Sequence, residues 1–443
     1  MQFFRSLYLE NRFFYLLGVA VAIFSLGFLW ASFVLIGKII ILLTLLLLAG
    51  DVAWLFNKGV FVTVQRSLPK LFSLGDENSV SLSISNKSRI GLNLEIIDEL
   101  PIQLQKRDFE QHIWLKPKEQ KELKYKIRPL VRGEYDFGNA VLYLRSKLNF
   151  VSRRINAAQP EMVPVYPSII QMKKFELAAN PRLQQFLGVK RMRRIGHSYE
   201  FEQIKNYVQG DDYRSLNWKA TGRHNQLMVN QFQDERSQPV YCIIDKSRQM
   251  RLPFNGLSLM DYAINTSLVI SNVALQKKDR AGLITFAANI ETVLKADNRT
   301  LQLRKILDAL YNQQESAQEA NFELLYKMLK SVVRTRSLLI LFTNLESKHS
   351  MARIKPIIKR LASFHLVLVV FFENTELADY GAASAEDITD AYLQSAALQM
   401  NDTKKYLTHE LKQHGVHTVF TRPEDLSINA LNKYLEFKAR GLI

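Results

Sequence analysis

The residues best suited by type to catalysis or ligand binding lie between positions 187 and 233. His197 and Glu200 precede two adjacent carboxylates, Asp211 and Asp212. Carboxylates and a histidine are ligand types for a divalent metal, and His, Asp and Ser together could form a hydrolytic group. Catalysis is the least favoured interpretation, because the segment has one histidine without metal-ligand spacing and no residue in a nucleophile elbow.

Two other interpretations of the same segment remain open. Residues 190–194 read Lys-Arg-Met-Arg-Arg and lie near aromatic residues, a mixture that suits contact with RNA or a protein partner. Alternatively, Gly210 and Asp211 form a tight turn, and Asp211 or Asp212 caps a short helix that begins near Tyr213. Arg214 and Lys219 would then pair with the carboxylates.

A second set of polar residues follows apolar runs in the C-terminal half. Residues 245–249 read Asp-Lys-Ser-Arg-Gln, residues 343–346 read Thr-Asn-Leu-Glu, and a third loop precedes Phe322. Ligands of open α/β sheets bind at the carboxyl ends of the strands, so these loops are the positions to inspect. No glycine-rich phosphate loop follows any of the runs, which argues against a nucleotide site.

The elements that carry these loops alternate between buried strands and helices from about residue 237 onward. Strands are predicted at 239–245, 280–286, 337–342, 364–372 and 416–421, with a shorter apolar run at 290–294. Helices are predicted at 258–276, 301–310, 322–333 and 423–439, and one or two more at 385–415 with a break near Asn401. This alternation predicts a doubly wound parallel sheet.

The segment 59–168 has a different pattern. Residues 80–85 and 123–128 alternate apolar and polar side chains, and glycine-containing turns separate such runs. Short alternating strands with this punctuation predict an antiparallel β-sandwich, which we interpret as a binding or spacer module.

The N-terminal stretch 13–56 is almost wholly apolar, with Lys38 and Asp51 as its only charges. It is about twice the length of roughly 20 residues that one membrane-spanning helix needs, so we predict a helical hairpin with helices near 13–30 and 33–55. It is too long for a cleaved signal peptide. Cations flank both ends, Arg5 and Arg12 before the hairpin and Lys58, Arg66 and Lys70 after it, which predicts that both ends face the cytoplasm.

The amino-acid composition limits which partners and which kinds of site the chain can have. Lys plus Arg number 59 against 42 acidic residues, a net charge of +17, which favours an anionic surface such as lipid head groups or nucleic acid. The single cysteine, Cys242, excludes an intrachain disulfide and a zinc site built from several cysteines. It lies in an apolar run and is interpreted as a small buried side chain.

Several of these residues together resemble a known family. The spaced residues of the 196–235 segment, above all Gly-Asp-Asp-Tyr-Arg at 210–214 and Asn-Trp-Lys at 217–219, are similar to the signature of the domain of unknown function 58 family. Upstream, Arg-Pro at 128–129, Arg-Gly-Glu-Tyr at 132–135, Phe-Gly at 137–138 and Val-Tyr-Pro at 165–167 also match that family. The resemblance covers nearly the whole chain.

The resemblance implies two N-terminal membrane helices, a β-sandwich and a C-terminal von Willebrand factor A-like domain. It also implies a non-enzymatic role beside a MoxR-type AAA+ ATPase in the assembly or maturation of complexes. Such domains hold a divalent metal through an Asp-x-Ser-x-Ser loop and a later Thr and Asp. The corresponding positions here are Asp245, Ser247, Gln249, Asn321 and Asn344. Three of the five depart from the pattern, so we expect either no cofactor or a weakly bound Mg²⁺ held by Asp245 and Ser247.

The sequence therefore predicts a two-pass inner-membrane protein with its soluble domains in the cytoplasm. The predicted segments are a membrane hairpin (1–58), a β-sandwich (59–168), a basic and polar linking segment (169–236) and the α/β domain (237–443). We expect a scaffold or adaptor rather than an enzyme. The motif residues expected to contact a partner are Gly210, Asp211, Asp212, Tyr213, Arg214, Asn217, Trp218 and Lys219. The alternatives are a membrane-associated nucleic-acid-binding protein and, less favoured, a metal-dependent hydrolase that uses Asp211, Asp212 and His197.

Overall fold

The protein is described by a computed structural model over residues 5–30, 32–57, 59–106, 109–146, 148–178, 200–209, 211–233, 237–345, 347–383 and 387–443. The chain divides into two compact units, Met1–Tyr166 and Pro167–Ile443. The division into four segments made from the sequence stays a prediction.

Two apolar helices open the first unit, α1 (Asn11–Leu26) and α2 (Ser32–Leu55). Helix α2 has 24 residues and a mean hydropathy of 2.7 in its most apolar window, so it is long and apolar enough to cross a membrane. Helix α1 ends at Leu26 rather than at Trp30, and its 16 residues fall short of a full span of about 20. The two helices contact each other where the ring of Phe24 packs against Gly37.

The end of α2 is fastened to the strands of this unit. Asp51 is buried within the helix, and its Oδ2 accepts hydrogen bonds from the backbone N–H groups of Phe150 at 3.1 Å and Val151 at 3.2 Å. Arg153 donates to the carbonyl oxygen of Leu55 at 3.0 Å, one of the helix-terminal carbonyls that lack an intrahelical partner. Asp51 and Arg153 therefore hold the end of α2 against the strands of this unit.

The strands of the first unit form three sheets, and the prediction of antiparallel strands is confirmed. The sheet orders are β1-β10-β9-β5-β6, β2-β4-β7 and β3-β11-β8, and among the described strands of this unit only the β3–β11 pair is parallel. The strands are β1 (Leu7–Leu9), β2 (Val62–Ser67), β3 (Phe72–Ser73), β4 (Asn78–Asn86), β5 (Leu92–Asp98), β6 (Glu110–Leu115), β7 (Gln120–Ile127), β8 (Gly133–Phe137), β9 (Ala140–Arg145), β10 (Val151–Ala158) and β11 (Glu161–Tyr166).

Apolar side chains from two of these sheets share one core. Leu82 and Ile84 of β4 belong to the same buried cluster as Leu94 of β5 and Leu142 of β9. Arg66, counted above among the cations that flank the membrane helices, lies inside this unit and is ion-paired with Asp98. Arg66 therefore stabilises the packing of the strands, and it no longer supports the predicted orientation of the helices in the membrane.

The second unit contains a mixed set of strands and helices. Its helices are α3 (Ile169–Ala178), α4 (Trp218–His224), α5 (Leu259–Gln276), α6 (Gln302–Tyr311), α7 (Phe322–Val332), α8 (Lys348–Phe364), α9 (Thr375–Ala382), α10 (Ile388–Gln413) and α11 (Leu426–Ala439). Its strands are β12 (Glu200–Asn206), β13 (Met228–Gln233), β14 (Pro239–Asp245), β15 (Pro253–Phe254), β16 (Leu257–Ser258), β17 (Arg280–Phe286), β18 (Ile290–Asp297), β19 (Leu338–Phe342), β20 (Leu366–Phe372) and β21 (His417–Thr421).

Six of these strands form one sheet in the order β18-β17-β14-β19-β20-β21. The pairs from β17 to β21 are parallel, as the continuous apolar runs predict, while the edge strand β18 pairs antiparallel with β17. Two separate apolar cores cover its faces, one containing Leu268 of α5 and Leu431 of α11, the other Leu325 of α7 and Ile358 of α8. Helices on both faces bury the four central strands β17, β14, β19 and β20, which is why these strands contain so few polar residues.

Two details of this unit differ from the sequence prediction. Helix α3 falls in the predicted linking segment, but its Phe175 is buried in the core that contains α5. Helix α10 runs through Asn401 without the predicted break, preceded by the separate short helix α9. Asn and Asp at 401–402 have low helix propensity, yet buried contacts further along the helix at Leu407 and Leu411 outweigh that cost.

Candidate functional site

The carboxyl edge of the six-stranded sheet brings Asp245 and Thr343 together. Strands β14 and β19 are parallel neighbours, and Ile244 lies opposite Phe342, so the residues that follow meet at one edge. Asp245 is fully buried. Its Oδ1 accepts a hydrogen bond from the backbone N–H of Ser247 at 2.8 Å, and its Oδ2 accepts one from Thr343 Oγ1 at 2.7 Å.

The environment of Asp245 disfavours its charged form. Burial raises the pKa of this carboxyl above its usual range, while the hydrogen bonds from Ser247 and Thr343 act in the opposite direction without cancelling the effect. Within the described part of the chain no cationic side chain forms an ion pair with Asp245. The carboxyl is therefore held by neutral donors alone.

Asn344 connects this edge to helix α10. Its Nδ2 donates to the backbone carbonyl oxygen of Gln249 at 3.1 Å, and its Oδ1 accepts a hydrogen bond from Lys404 Nζ at 3.0 Å. Lys404 Nζ also lies 3.5 Å from the carbonyl oxygen of Phe372, at the end of β20. Both Asn344 and Lys404 are buried, so an ammonium group lies inside the carboxyl edge.

The remaining position of the expected metal set has another role. Asn321 begins α7, and its Oδ1 accepts a hydrogen bond from the backbone N–H of Leu324 at 3.0 Å, which is an N-terminal helix cap. Its neighbours Ala320 and Phe322 line a cleft of ≈ 20 Å³ together with Ser247 and Gln249. That volume holds about one water molecule and is far below that of a pocket for an organic substrate.

Exposed charges surround the cleft. Arg248 pairs with Glu319 at 2.9 Å, and Arg353 of α8 lies 3.6 Å from the same carboxylate. All three side chains are at least 60% exposed. This rim presents alternating charges on the surface above a closed, hydrogen-bonded interior.

The Gly-Asp-Asp-Tyr-Arg motif lies in a loop between the antiparallel strands β12 and β13, which we call the motif loop (residues 207–227). Asp211 accepts hydrogen bonds from the backbone N–H of Val208 and from Lys205 Nζ, both at 3.0 Å, and these two bonds lower the pKa of its carboxyl. Asp212 accepts from the backbone N–H of Arg214 at 3.0 Å and so caps a turn of 3₁₀ helix, Tyr213–Ser215. Gly210 is outside the described residues.

Asn217 performs a similar task for helix α4. Its Oδ1 accepts from the backbone N–H of Ala220 at 3.0 Å, and its Nδ2 donates to Asn230 Oδ1 of β13 at 2.8 Å. In contrast, Tyr213 and Trp218 are 68% and 71% exposed, and Arg214 and Lys219 also face solvent. Asp211, Asp212 and Asn217 thus stabilise the loop by hydrogen bonds, whereas Tyr213, Arg214, Trp218 and Lys219 are exposed to solvent.

The hydrolytic, metal-binding and RNA-binding interpretations depend partly on residues that precede β12. His197 and the basic residues 190–194 lie outside the described residues, so no hydrolytic or metal group can be built with them. Asp211 and Asp212 are each committed to backbone hydrogen bonds within their own loop.

Comparison with known proteins bears on this same region. Residues 203–416 match the family model described as "Protein of unknown function DUF58". The chain is 26% identical over 126 residues to "Uncharacterized protein YeaD" of Bacillus subtilis, a match that covers 28% of this chain and 31% of that relative. The chain thus spans about a third of the length of this curated relative.

Parts of the chain are similar to solved structures of other proteins. The CARDB domain of a Pyrococcus furiosus protein is 16% identical with a TM-score of 0.18, and the match covers 25% of this chain and 97% of that one. Proximal thread matrix protein 1 from the mussel byssus is 11% identical with a TM-score of 0.25, and the match covers 44% of this chain and 45% of that one.

The DUF58 match confirms the resemblance for residues 203–416, which include the motif loop and the carboxyl edge. The apolar helices and the upstream residues that also suggested the family lie outside it. Lys404 lies inside the DUF58 match, and sequence reasoning missed it. Its signal was its place on α10, seven residues after the buried Ala397 and seven before the buried Leu411, which put a lysine on the inward face of the helix.

The residues at the carboxyl edge do not fit a tightly bound Mg²⁺. Asp245 supplies the only carboxylate among the five expected positions, with the buried hydroxyl of Ser247 nearby in sequence. The amide oxygen of Asn344 already accepts a hydrogen bond from the Lys404 ammonium, and a fixed cation there opposes a second one. The expectation of weak binding at most stays a prediction.

A second group of ligand-type side chains lies in the first unit. Oxygen and nitrogen atoms of Glu95, Glu110 and His112 approach within 4.8 Å of one another on the neighbouring strands β5 and β6. The guanidinium of Arg145 forms ion pairs with both Glu95 and Glu10, so the buried carboxylate of this group already has a cation. The arrangement is accounted for as an ion-pair network.

Proposed function

We propose that this protein is a membrane-anchored scaffold or adaptor whose α/β domain, of the von Willebrand factor A-like type, docks a protein partner at its carboxyl edge. The order of the six strands and the placement of Asp245, Ser247 and Asn344 after parallel strands support that domain type. The proposed role is binding and not catalysis.

The observation that carries the proposal is the combination of a closed interior and a charged rim. The cleft at the carboxyl edge has a volume of ≈ 20 Å³, too small for a substrate, whereas Arg248, Glu319 and Arg353 stand exposed around it. Protein interfaces use such rim charges to select partners and to set the rate of encounter.

The proposed docking needs no metal ion. In a metal-dependent domain of this type, a partner's carboxylate would complete the coordination of the ion. Here Lys404 Nζ donates a hydrogen bond to the amide oxygen of Asn344 at 3.0 Å and so lies beside the carboxyl edge. We propose that this built-in cation takes the structural place of the ion.

The membrane part of the proposal is a two-pass anchor in the inner membrane, with the strands of the first unit and the whole second unit in the cytoplasm. Its support is the apolar helix α2, the shorter apolar helix α1 that packs on it, and the cations Arg5, Arg12 and Lys70. The partner that the family resemblance suggests is a MoxR-type AAA+ ATPase.

Co-purification tests the docking surface. The full-length chain is extracted in a mild detergent, captured through a terminal tag, and its partners are identified by mass. Arg353→Glu reverses one charge of the rim and should reduce recovery of the partner roughly tenfold, since a misplaced like charge at an interface costs more than 1 kcal/mol.

The matched control is Arg360→Glu, which makes the same change on the same helix α8, at another exposed position without an ion pair to any described residue. The proposal requires the partner to be lost with Arg353→Glu and kept with Arg360→Glu. Equal recovery from the wild type and both variants would exclude the rim, and the absence of any co-purifying protein would exclude an adaptor role.

A further inference from the structure

The segment between β20 and the buried part of α10 has an unusual charge. Residues 373–402 contain seven acidic residues and no Lys, Arg or His, in a chain whose net charge is +17. This segment, which we call the acidic insertion, contains α9 and the first half of α10, and its residues 384–386 lie outside the described residues. Glu376 and Asp379 of α9 are both exposed and form no ion pair with any described residue.

The acidic insertion also exposes large apolar side chains. Ile388 is 90% exposed and Tyr392 is 76% exposed, and their spacing of four residues puts them on one face of α10. Met400 is 43% exposed further along the same helix. Two apolar side chains of this size, exposed side by side and flanked by acidic residues, are typical of a contact surface.

The motif loop is the chemical counterpart of this surface. Trp218 and Tyr213 are exposed, and the guanidinium carbon of Arg214 lies 5.7 Å from the centre of the Tyr213 ring. Lys219 and Arg223, four residues apart on one face of α4, are exposed and form no ion pair with any described residue. The motif loop therefore displays aromatic rings beside free cations.

We propose that the acidic insertion of one copy binds the motif loop of a second copy. Glu376 and Asp379 would face Lys219 and Arg223, and the apolar face at Ile388 and Tyr392 would cover Trp218. Tyr, Trp and Arg are the residues that interfaces favour at their centres, and opposite charges at the rim select the pairing. The chain itself supplies both halves of the contact, which is why a second copy is the occupant.

The contact is head to tail, because two different surfaces meet. Such an interface leaves one free acidic insertion and one free motif loop on every pair, so it continues into a ring or a row of copies. Anchored chains that associate in this way would form clusters at the membrane. This inference goes beyond the proposed function, since it uses neither the cleft nor the rim at the carboxyl edge.

Two charge-reversed variants test the pairing in full-length chains in detergent, with size measured by light scattering. One variant carries Glu376→Lys and Asp379→Lys, and the other carries Lys219→Glu and Arg223→Glu. The wild type should associate beyond dimers at low salt, and each variant alone should need a roughly tenfold higher concentration to do so. Mixed in equal amounts, the two variants should again associate beyond dimers, because the two unchanged surfaces pair with each other and the two reversed surfaces carry opposite charges.

The control carries Arg304→Glu and Lys305→Glu, two exposed cations of α6 outside both surfaces, and should associate like the wild type. Restored association in the mixture also shows that both variants are folded. A monomeric wild type at low salt would overturn the proposal, and so would association that survives in both variants or falls equally in the control. A wild type that captures another protein while staying monomeric counts against it in the same way.

Discussion

Among single residues, Asp245 is a buried acidic side chain that forms no ion pair with any described residue. Its carboxyl is buried, receives hydrogen bonds from neutral groups only, and has a raised pKa because burial penalises its charge. Asp245→Asn keeps the shape and removes the charge, so we expect the thermal midpoint in chelator at pH 7 to rise. Differential scanning fluorimetry of the detergent-solubilised chain measures this.

The pH dependence gives the control for this prediction. A folded-state pKa above the unfolded value means that the wild type loses stability as pH rises from the unfolded pKa towards the raised one. The advantage of Asp245→Asn should therefore be absent in acid, where the wild-type carboxyl is protonated, and grow towards neutral pH. A variant less stable than the wild type at pH 7 would mean that the carboxylate has a cationic partner.

Substitutions at Lys404 and Asn344 should create a metal site at the carboxyl edge. Asn344→Asp with Lys404→Met supplies a second carboxylate and removes the ammonium that lies at Asn344 Oδ1. We expect the midpoint of the double variant to rise in 10 mM Mn²⁺, by the equivalent of about 2.7 kcal/mol if the dissociation constant is a hundredth of the metal concentration. The midpoint of the wild type should not change.

Lys404→Met alone is the matched control, because it removes the ammonium but leaves the neutral amide. It should be less stable than the wild type by about 1–3 kcal/mol and should stay insensitive to Mn²⁺. A wild type stabilised by Mn²⁺ as strongly as the double variant would show that the buried ammonium does not exclude the ion.

At the scale of elements, the junction between α2 and its sheet is the most informative. The carboxylate of Asp51 accepts hydrogen bonds from the backbone N–H groups of Phe150 and Val151 at the start of β10. Asp51→Leu should leave both donors unsatisfied and lower the free energy of unfolding by about 1.5–3 kcal/mol. Chemical denaturation of the detergent-solubilised chain measures the loss.

Thr44→Val provides the comparison for Asp51→Leu. Thr44 is also buried in α2, but its hydroxyl donates to the carbonyl oxygen of Ile40 in the same helix at 2.7 Å. That change should cost well below 1 kcal/mol, since the helix satisfies the carbonyl in any case. Similar losses for both variants would mean that the effect belongs to the helix and not to its junction with the strands.

Elements were more predictable than the contacts between them. Apolar runs and alternation gave the parallel strands such as β14 and the antiparallel strands such as β4, because burial on both faces or on one leaves a local pattern. The same reasoning could not find that Arg66 pairs with Asp98, or that Lys404 reaches Asn344 across 60 positions. Such pairs depend on how distant segments pack.

The candidate site was predictable in its position rather than in its chemistry. Parallel strands must bring Asp245 and Thr343 to one edge, and the sequence placed them there. The helix cap at Asn321 and the caps at Asp212 and Asn217 involve residue types that serve equally as ligands or as caps, and local sequence does not separate the two roles.

At the scale of the whole molecule, the single cysteine makes the orientation in the membrane measurable. Cys242 is buried, and burial raises the pKa of its thiol to about 12, so the wild type should not react with maleimides at neutral pH. Any cysteine introduced at an exposed site is then the only reactive thiol. Ile102 of the first unit is 88% exposed, Leu301 of the second unit is 64% exposed, and Phe28 between α1 and α2 is 98% exposed.

A two-pass anchor with both soluble units in the cytoplasm predicts opposite labelling at these positions. In cells stripped of their outer barrier, a membrane-impermeant maleimide should label Phe28→Cys, while Ile102→Cys and Leu301→Cys should react only after permeabilisation. If all three positions are labelled in intact cells, the soluble units face outward. If Phe28→Cys is protected together with the other two, α1 does not cross the membrane, and α2 alone or a hairpin that lies within one leaflet must hold the protein.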